Sequence, residues 1–169
     1  MRTLKRLRYA RTMARTIQVV ESGDAQAIDA VRELWNAYWD SLGFPAEFQS
    51  FTEELRELPG KYGPPTGRLL LVRISGLPVA TAAFRRLSAE ACEAKRLYVE
   101  PAYRHHGIAA ALLTKLVEES RGSGYRTLCG DTLPTMASAL ALYRKMGFVE
   151  TGPYSENPTP GAIYLRLSL

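Results

Sequence analysis

The apolar pattern changes its period at Gly107, and that change constrains the fold more tightly than any other feature of the chain. Before it lie three strand-like segments in meander order: Arg68 to Ile74, then Pro78 to Arg86 after a Ser75-Gly76 turn, then Ala91 to Val99. Their short connections predict antiparallel neighbours. After it, Ile108, Leu112, Leu113, Leu116 and Val117 form one stripe of a helix that stops at Gly122 and Gly124. A strand over 125–131, a helix over 137–146 and strands over 148–152 and 163–167 complete the downstream half. Upstream, a strand over 17–21 leads to Asp24, placed to cap a helix that repeats Ile28, Val31, Leu34, Trp35, Tyr38 and Leu42 and ends near Gly43. A shorter helix over 51–58 is stopped by Pro59 and Gly60, and 59–67 is a loop. The order describes one mixed α/β domain without repeats or an internal linker.

The turn between the third strand and its helix reads Arg104-His105-His106-Gly107-Ile108-Ala109. A helix N-terminus presents unpaired N–H groups and a partial positive charge, so a loop entering it can wrap a pyrophosphate with backbone donors. Gly107 lets that backbone come close.

At these residues the chain resembles the GCN5-related N-acetyltransferase (GNAT) superfamily, whose loop is Arg or Gln, two residues, Gly, one residue, then Gly or Ala. Positions 104, 107 and 109 match it. Two flanking elements agree in kind and distance: Lys95-Arg96-Leu97-Tyr98-Val99-Glu100-Pro101 resembles the family's fourth strand, and Leu142-Tyr143-Arg144-Lys145-Met146-Gly147-Phe148 its Leu-Tyr-x-x-x-Gly-Phe element. The resemblance covers 17–167, most specifically 91–148. It departs at Ala109, which the family tolerates, and at Met136, where relatives often carry an Asn that helps hold the cofactor.

The resemblance implies a mixed central sheet of about six to seven strands with flanking helices, strands four and five splayed around acetyl-CoA as co-substrate. It also implies that Leu97, Tyr98 and Val99 offer main-chain groups to the pantetheine arm, and that His105, His106, Gly107, Ile108, Ala109 and Ala110 bind the pyrophosphate through their amides. Arg104 adds charge or braces the loop. Tyr143 is the implied proton donor to the leaving thiolate, although a tyrosine between Leu142 and Met146 also suits plain core packing. The attacking amine must shed a proton first, because an ammonium of pKa about 10 has no free lone pair. Period-two alternation puts Glu93, Lys95, Leu97 and Val99 on one strand face, which makes Glu93 the expected base; an ion pair with Lys95 or a neighbouring strand is the competing role, and a water chain to the strand backbone the substitute.

Composition bounds the rest. At 169 residues and 46% hydrophobic the chain can fill one core without disulfides or metal. Cys92 and Cys129 form no CxxC pair, and His105 and His106 are adjacent, so no metal site is expected. No apolar run is long enough to cross a bilayer, and the N-terminus lacks the apolar core of a secretory signal, which together predict a soluble, cytoplasmic protein. The net charge of +5 is local: residues 1–15 hold six bases and no acid, leaving 16 bases against 17 acids elsewhere. Residues 1–15 therefore read as a basic, disordered arm ahead of a single domain over 16–169, with Met13 as an alternative start. Nucleic acid is not an expected partner of the body, although the arm could serve as a nucleic-acid or membrane-surface tail or a targeting peptide.

On the acceptor side Trp35, Tyr38 and Trp39 recur at helical spacing, which core packing explains, while Tyr38 is also expected as an acceptor contact. The proline-rich stretch 152–161 reads as a stiff loop over the cleft, with Tyr154, Glu156 and Asn157 as acceptor contacts. The expected acceptor is a small primary amine such as an amino acid or polyamine. A protein lysine or N-terminus and a non-catalytic CoA-binding regulatory module are the alternatives, and homodimer formation stays open.

Overall fold

The computed structural model describes residues 14–45, 48–156 and 159–169. Its first strand, β1 (Arg15–Val19), pairs antiparallel with β2 (Arg68–Ile74), and the meander continues through β3 (Leu77–Arg86) and β4 (Ala91–Val99). Between β1 and β2 the chain folds α1 (Ala25–Leu42) and a short α2 (Phe51–Glu57). After β4 come α3 (Ile108–Gly122), β5 (Thr127–Thr132), α4 (Ala137–Lys145), β6 (Val149–Thr151) and β7 (Ile163–Ser168). All seven strands share one sheet in the order β1-β2-β3-β4-β5-β7-β6. Only β4 and β5 are parallel, because α3 carries the chain back across the sheet between them.

The sheet is covered on both faces, which is why β2 reads as an unbroken apolar run. Leu69 and Leu71 pack under α1 and α2 with Ile28, Val31, Trp35 and Phe51. Leu70 and Val72 pack on the other face with Leu112, Leu113, Leu116 and Phe84. Asp24 starts α1 as expected, its Oδ1 accepting from the Ala27 N–H at 2.9 Å, and Gly43 ends it in the left-handed region at φ 69°. Trp35 and Trp39 are core residues of that helix.

Arg15 pairs with Ile74 inside the sheet, so it belongs to β1 and not to the basic arm in which its charge had placed it. The rest of the expected arm, Met13 included, lies outside the described residues.

Candidate active site at the fork between the fourth and fifth strands

Pairing between β4 and β5 runs only from Ala91 to Ala94 against Thr127 to Gly130. Beyond Ala94 the two strands part, and β4 is irregular just there. Arg96 stands at φ 58°, in the left-handed region that a non-glycine residue enters only at a cost. The register on β3 slips at the same place, Ala83 facing Lys95 but Thr81 facing Tyr98, so β4 carries an extra residue in a bulge.

The bulge reverses the alternation of side chains. Glu93 and Lys95 lie opposite Arg85 and Ala83, on the face covered by α1. Leu97 and Val99 pack on the opposite face, against the α3 core. The expected shared face of Glu93, Lys95, Leu97 and Val99 is thus broken between Lys95 and Leu97, because simple period-two counting holds only while the strand is regular.

Tertiary contacts hold Arg96 in this backbone. Its Nε and one terminal nitrogen reach Glu54 Oε2 at 2.8 and 2.6 Å, and its guanidinium lies 5.0 Å from the Trp39 ring centre and 5.4 Å from that of Phe51. Glu54 Oε1 accepts from the Tyr62 hydroxyl at 2.7 Å and meets Lys61 at 2.9 Å. Burial alone would raise the Glu54 carboxyl; Arg96, Lys61 and Tyr62 outweigh it and hold the pKa below the usual carboxylate value.

On the α3 side of the fork the loop has the form its sequence implies. Gly107 caps α3 at φ 74°, no side chain caps the helix, and His105 is also left-handed at φ 65°. The first N–H groups of α3 thus lack a side-chain partner and point out of the helix end. Arg104 braces the loop, its Nε donating to the Val99 carbonyl at 2.9 Å. The side chains of His105 and His106 are exposed and that of Ile108 is buried, so these three can meet a phosphate chiefly through backbone. A Cβ at Gly107 would meet nothing within 4 Å, so packing does not demand glycine there; the backbone angle does. Gly107→Val should raise the dissociation constant for acetyl-CoA at least about tenfold by calorimetry, since a strained β-branched residue would move the amides by refolding the cap. Unchanged affinity would remove the loop from the binding site.

Tyr143 of α4 stands at the fork on this same face. Its ring edge and hydroxyl lie 3.6 Å from where a Cβ of Gly130 would be, beside the last β4–β5 pair, and its ring meets Phe148 edge-on at 4.9 Å. Burial raises its phenol pKa well above the usual value, and Tyr38, Asp131 and Glu93 add to the shift. Tyr143 therefore stays protonated across the working pH range.

The α1 side of the fork holds the charges. Glu93 is completely buried, with Oε2 taking Arg85 at 2.8 Å and Oε1 shared by Lys95 at 3.3 Å and the Tyr154 hydroxyl at 3.2 Å. Lys95 Nζ also reaches Asp131 Oδ1 at 3.3 Å, and these two side chains remain 15% and 14% exposed. Asp131 shares the face of Glu93 because Cys129, two residues earlier on β5, is the register partner of Glu93. Together Lys95, Arg96 and Asp131 line a cavity of about 80 Å³ that passes through the fork. Its walls are Tyr38, Trp39, Leu42 and Phe44 on one side and Leu133, Met136 and Tyr143 on the other. Burial raises the Tyr38 phenol, with Arg96 opposing and Asp131 adding.

Residues 65–150 match the model of the acetyltransferase (GNAT) domain, and over 146 residues the chain is 34% identical to an uncharacterised N-acetyltransferase of Schizosaccharomyces pombe, spanning 85% of this chain and 90% of that one. The chain belongs to the GNAT acetyltransferase family. Solved structures share its fold. An acetyltransferase from Streptococcus agalactiae aligns with a TM-score of 0.77 at 14% identity over 92% of this chain and 98% of that one. PaiA N-acetyltransferase from Thermoplasma acidophilum, solved in complex with coenzyme A, aligns at 0.68 and 18% identity over 93% and 100%.

As a GNAT enzyme the chain is an acetyl-CoA-dependent N-acyltransferase, and its matched span runs from the end of the loop before β2 into β6. The fork brings Leu97, Tyr98 and Val99 close in sequence and space to the 104–110 loop, whereas Glu93 and Tyr143 face opposite sides of the sheet. Tyr154 contacts Glu93 and stacks edge-on with Tyr164, Glu156 is exposed, and Asn157 lies outside the described residues. Asp131, which lines the cavity beside Lys95, is marked by no motif in the sequence. The available signal was its place in β5, one residue beyond the glycine where the parallel pairing ends. Among the described residues no helix is long and apolar enough to cross a membrane.

Proposed function

We propose that this GNAT enzyme acetylates the primary amine of a small molecule, with the acetyl group entering the fork from the α3 face and the amine from the α1 face. The observation that carries the reading is the division of the fork, with Tyr143 on one face and the Lys95–Asp131 pair on the other. When bound, acetyl-CoA supplies an activated thioester; the 104–110 loop receives its pyrophosphate and β4 beyond Ala94, with no strand on its β5 side, receives its pantetheine.

Asp131 takes up the incoming ammonium, whose proton leaves to water so that the nitrogen can attack. Glu93 does not serve as the base, since it is sealed from the cavity and each oxygen already meets a cation or a hydroxyl. Tyr143, less acidic than the departing thiol, donates a hydrogen bond to the sulfur as charge gathers there. Nitrogen–carbon bond formation and carbon–sulfur cleavage, with the nitrogen giving up its second proton to water and the thiolate taking one from water, leave an amide and a thiol.

A small acceptor suits the narrow cavity, which the C-terminal loop meets through Thr159. The test is melting with and without acetyl-CoA, followed by thiol release with an amine panel. Saturation at a hundred times the dissociation constant should stabilise the fold by about 2.7 kcal/mol. No melting shift at millimolar acetyl-CoA, or no thiol release with any amine, would sink the proposal.

A further inference from the structure

The acceptor face carries a charge pattern more specific than an amine requires. Among the described residues that line the cavity, the charged ones are Lys95, Arg96 and Asp131. Arg96 is buried and held by Glu54, and the negative charge of Glu93 is met by Arg85 and Lys95 behind the wall. What an acceptor meets is therefore one ammonium and one carboxylate, 3.3 Å apart, both still partly exposed.

A polycation is a poor fit to that pair. It would bring two or more positive charges to a single carboxylate that is already shared with Lys95. An acceptor bearing only an amine would satisfy Asp131 and leave Lys95 pulled away from one of its partners. A molecule with opposite charges on one carbon solves both problems, since it can lie head to tail against the pair in an alternating ring of four charges.

We propose that the acceptor is an α-amino acid, its carboxylate bound by Lys95 and its ammonium by Asp131. The rest of the cavity selects an apolar side chain: Tyr38, Trp39, Leu42 and Phe44 form one wall and Met136 stands opposite. Lys95 has three N–H donors and two carboxylates around it, so a third acceptor can be added while Glu93 keeps its contact. This assignment rests on the reading of the fork as an amine acetyltransferase site.

The test compares leucine, methionine and phenylalanine with the amines that lack only the carboxylate: isoamylamine, 3-(methylthio)propylamine and phenethylamine. Spermidine and a lysine-containing peptide complete the panel, all with the full chain and saturating acetyl-CoA. Each amino acid should exceed its matched amine in kcat/KM by about 10- to 100-fold, the range for a charge-assisted contact. Lys95→Met should collapse that ratio toward one, and Lys95→Arg should restore much of it, which a purely structural role for Lys95 would not produce. A matched amine equal to its amino acid, spermidine or the peptide preferred over all, or a ratio that survives Lys95→Met overturns the assignment. Should Lys95→Met fail to fold, the wild-type ratio still decides. Transfer to amines or peptides without preference for amino acids defeats this inference alone; absence of transfer to any acceptor defeats the proposed function as well.

Discussion

Tyr143→Phe should lower the turnover of acetyl transfer by roughly 10²- to 10⁴-fold while leaving acetyl-CoA affinity nearly unchanged. The substitution keeps the ring that packs on Phe148 and covers Gly130, and removes only the hydroxyl at the fork. Loss of a hydrogen bond to the sulfur is felt when negative charge gathers there, so the effect belongs to kcat and not to binding. The pH profile offers a second check. Because the Tyr143 phenol is held above its ordinary value, its ionisation should not limit activity below about pH 10 in the parent enzyme. Turnover within a few-fold of the parent for Tyr143→Phe, with melting temperature unchanged, would reduce Tyr143 to a core residue.

Glu93→Gln should act on stability and not on the proton. It leaves Arg85 and Lys95 without the buried carboxylate that they share, and replaces an acceptor of the Tyr154 hydroxyl by a neutral amide. Breaking a buried ion pair by removing one partner costs about 3 kcal/mol or more, which for a domain of this size lowers the melting temperature by roughly 6 to 12 °C. Below that temperature the variant should turn over with the pH dependence of the parent. A general base would behave otherwise, with turnover lost most near neutral pH and recovered at high pH where more amine is already free. Calorimetric melting and kcat measured from pH 6 to 10 on the same preparation separate the two outcomes.

Most of the architecture was legible from local pattern. The switch of period at Gly107, the caps at Asp24 and Gly43 and the turn at Ser75-Gly76 are signals carried within a few residues, so strands and helices could be placed to within one or two positions. The same holds for the 104–109 loop, because an unfilled helix N-terminus preceded by a strand is a property of the chain order itself.

The arrangement of the site was legible only in part, and β4 shows why. Alternation from Glu93 to Val99 is a sound inference for a regular strand, but the bulge at Arg96 is held by Glu54, 42 residues away, and by the rings of Trp39 and Phe51. No local pattern in 91–99 signals it. Residue order thus determined which strand, loop and helix meet at the open end of the fork, since those depend on neighbours along the chain. The tertiary structure alone decided that Glu93 is sealed among Arg85, Lys95 and Tyr154 and that Asp131 and Lys95 line the cavity, because those placements follow from strand pairing and burial between distant segments.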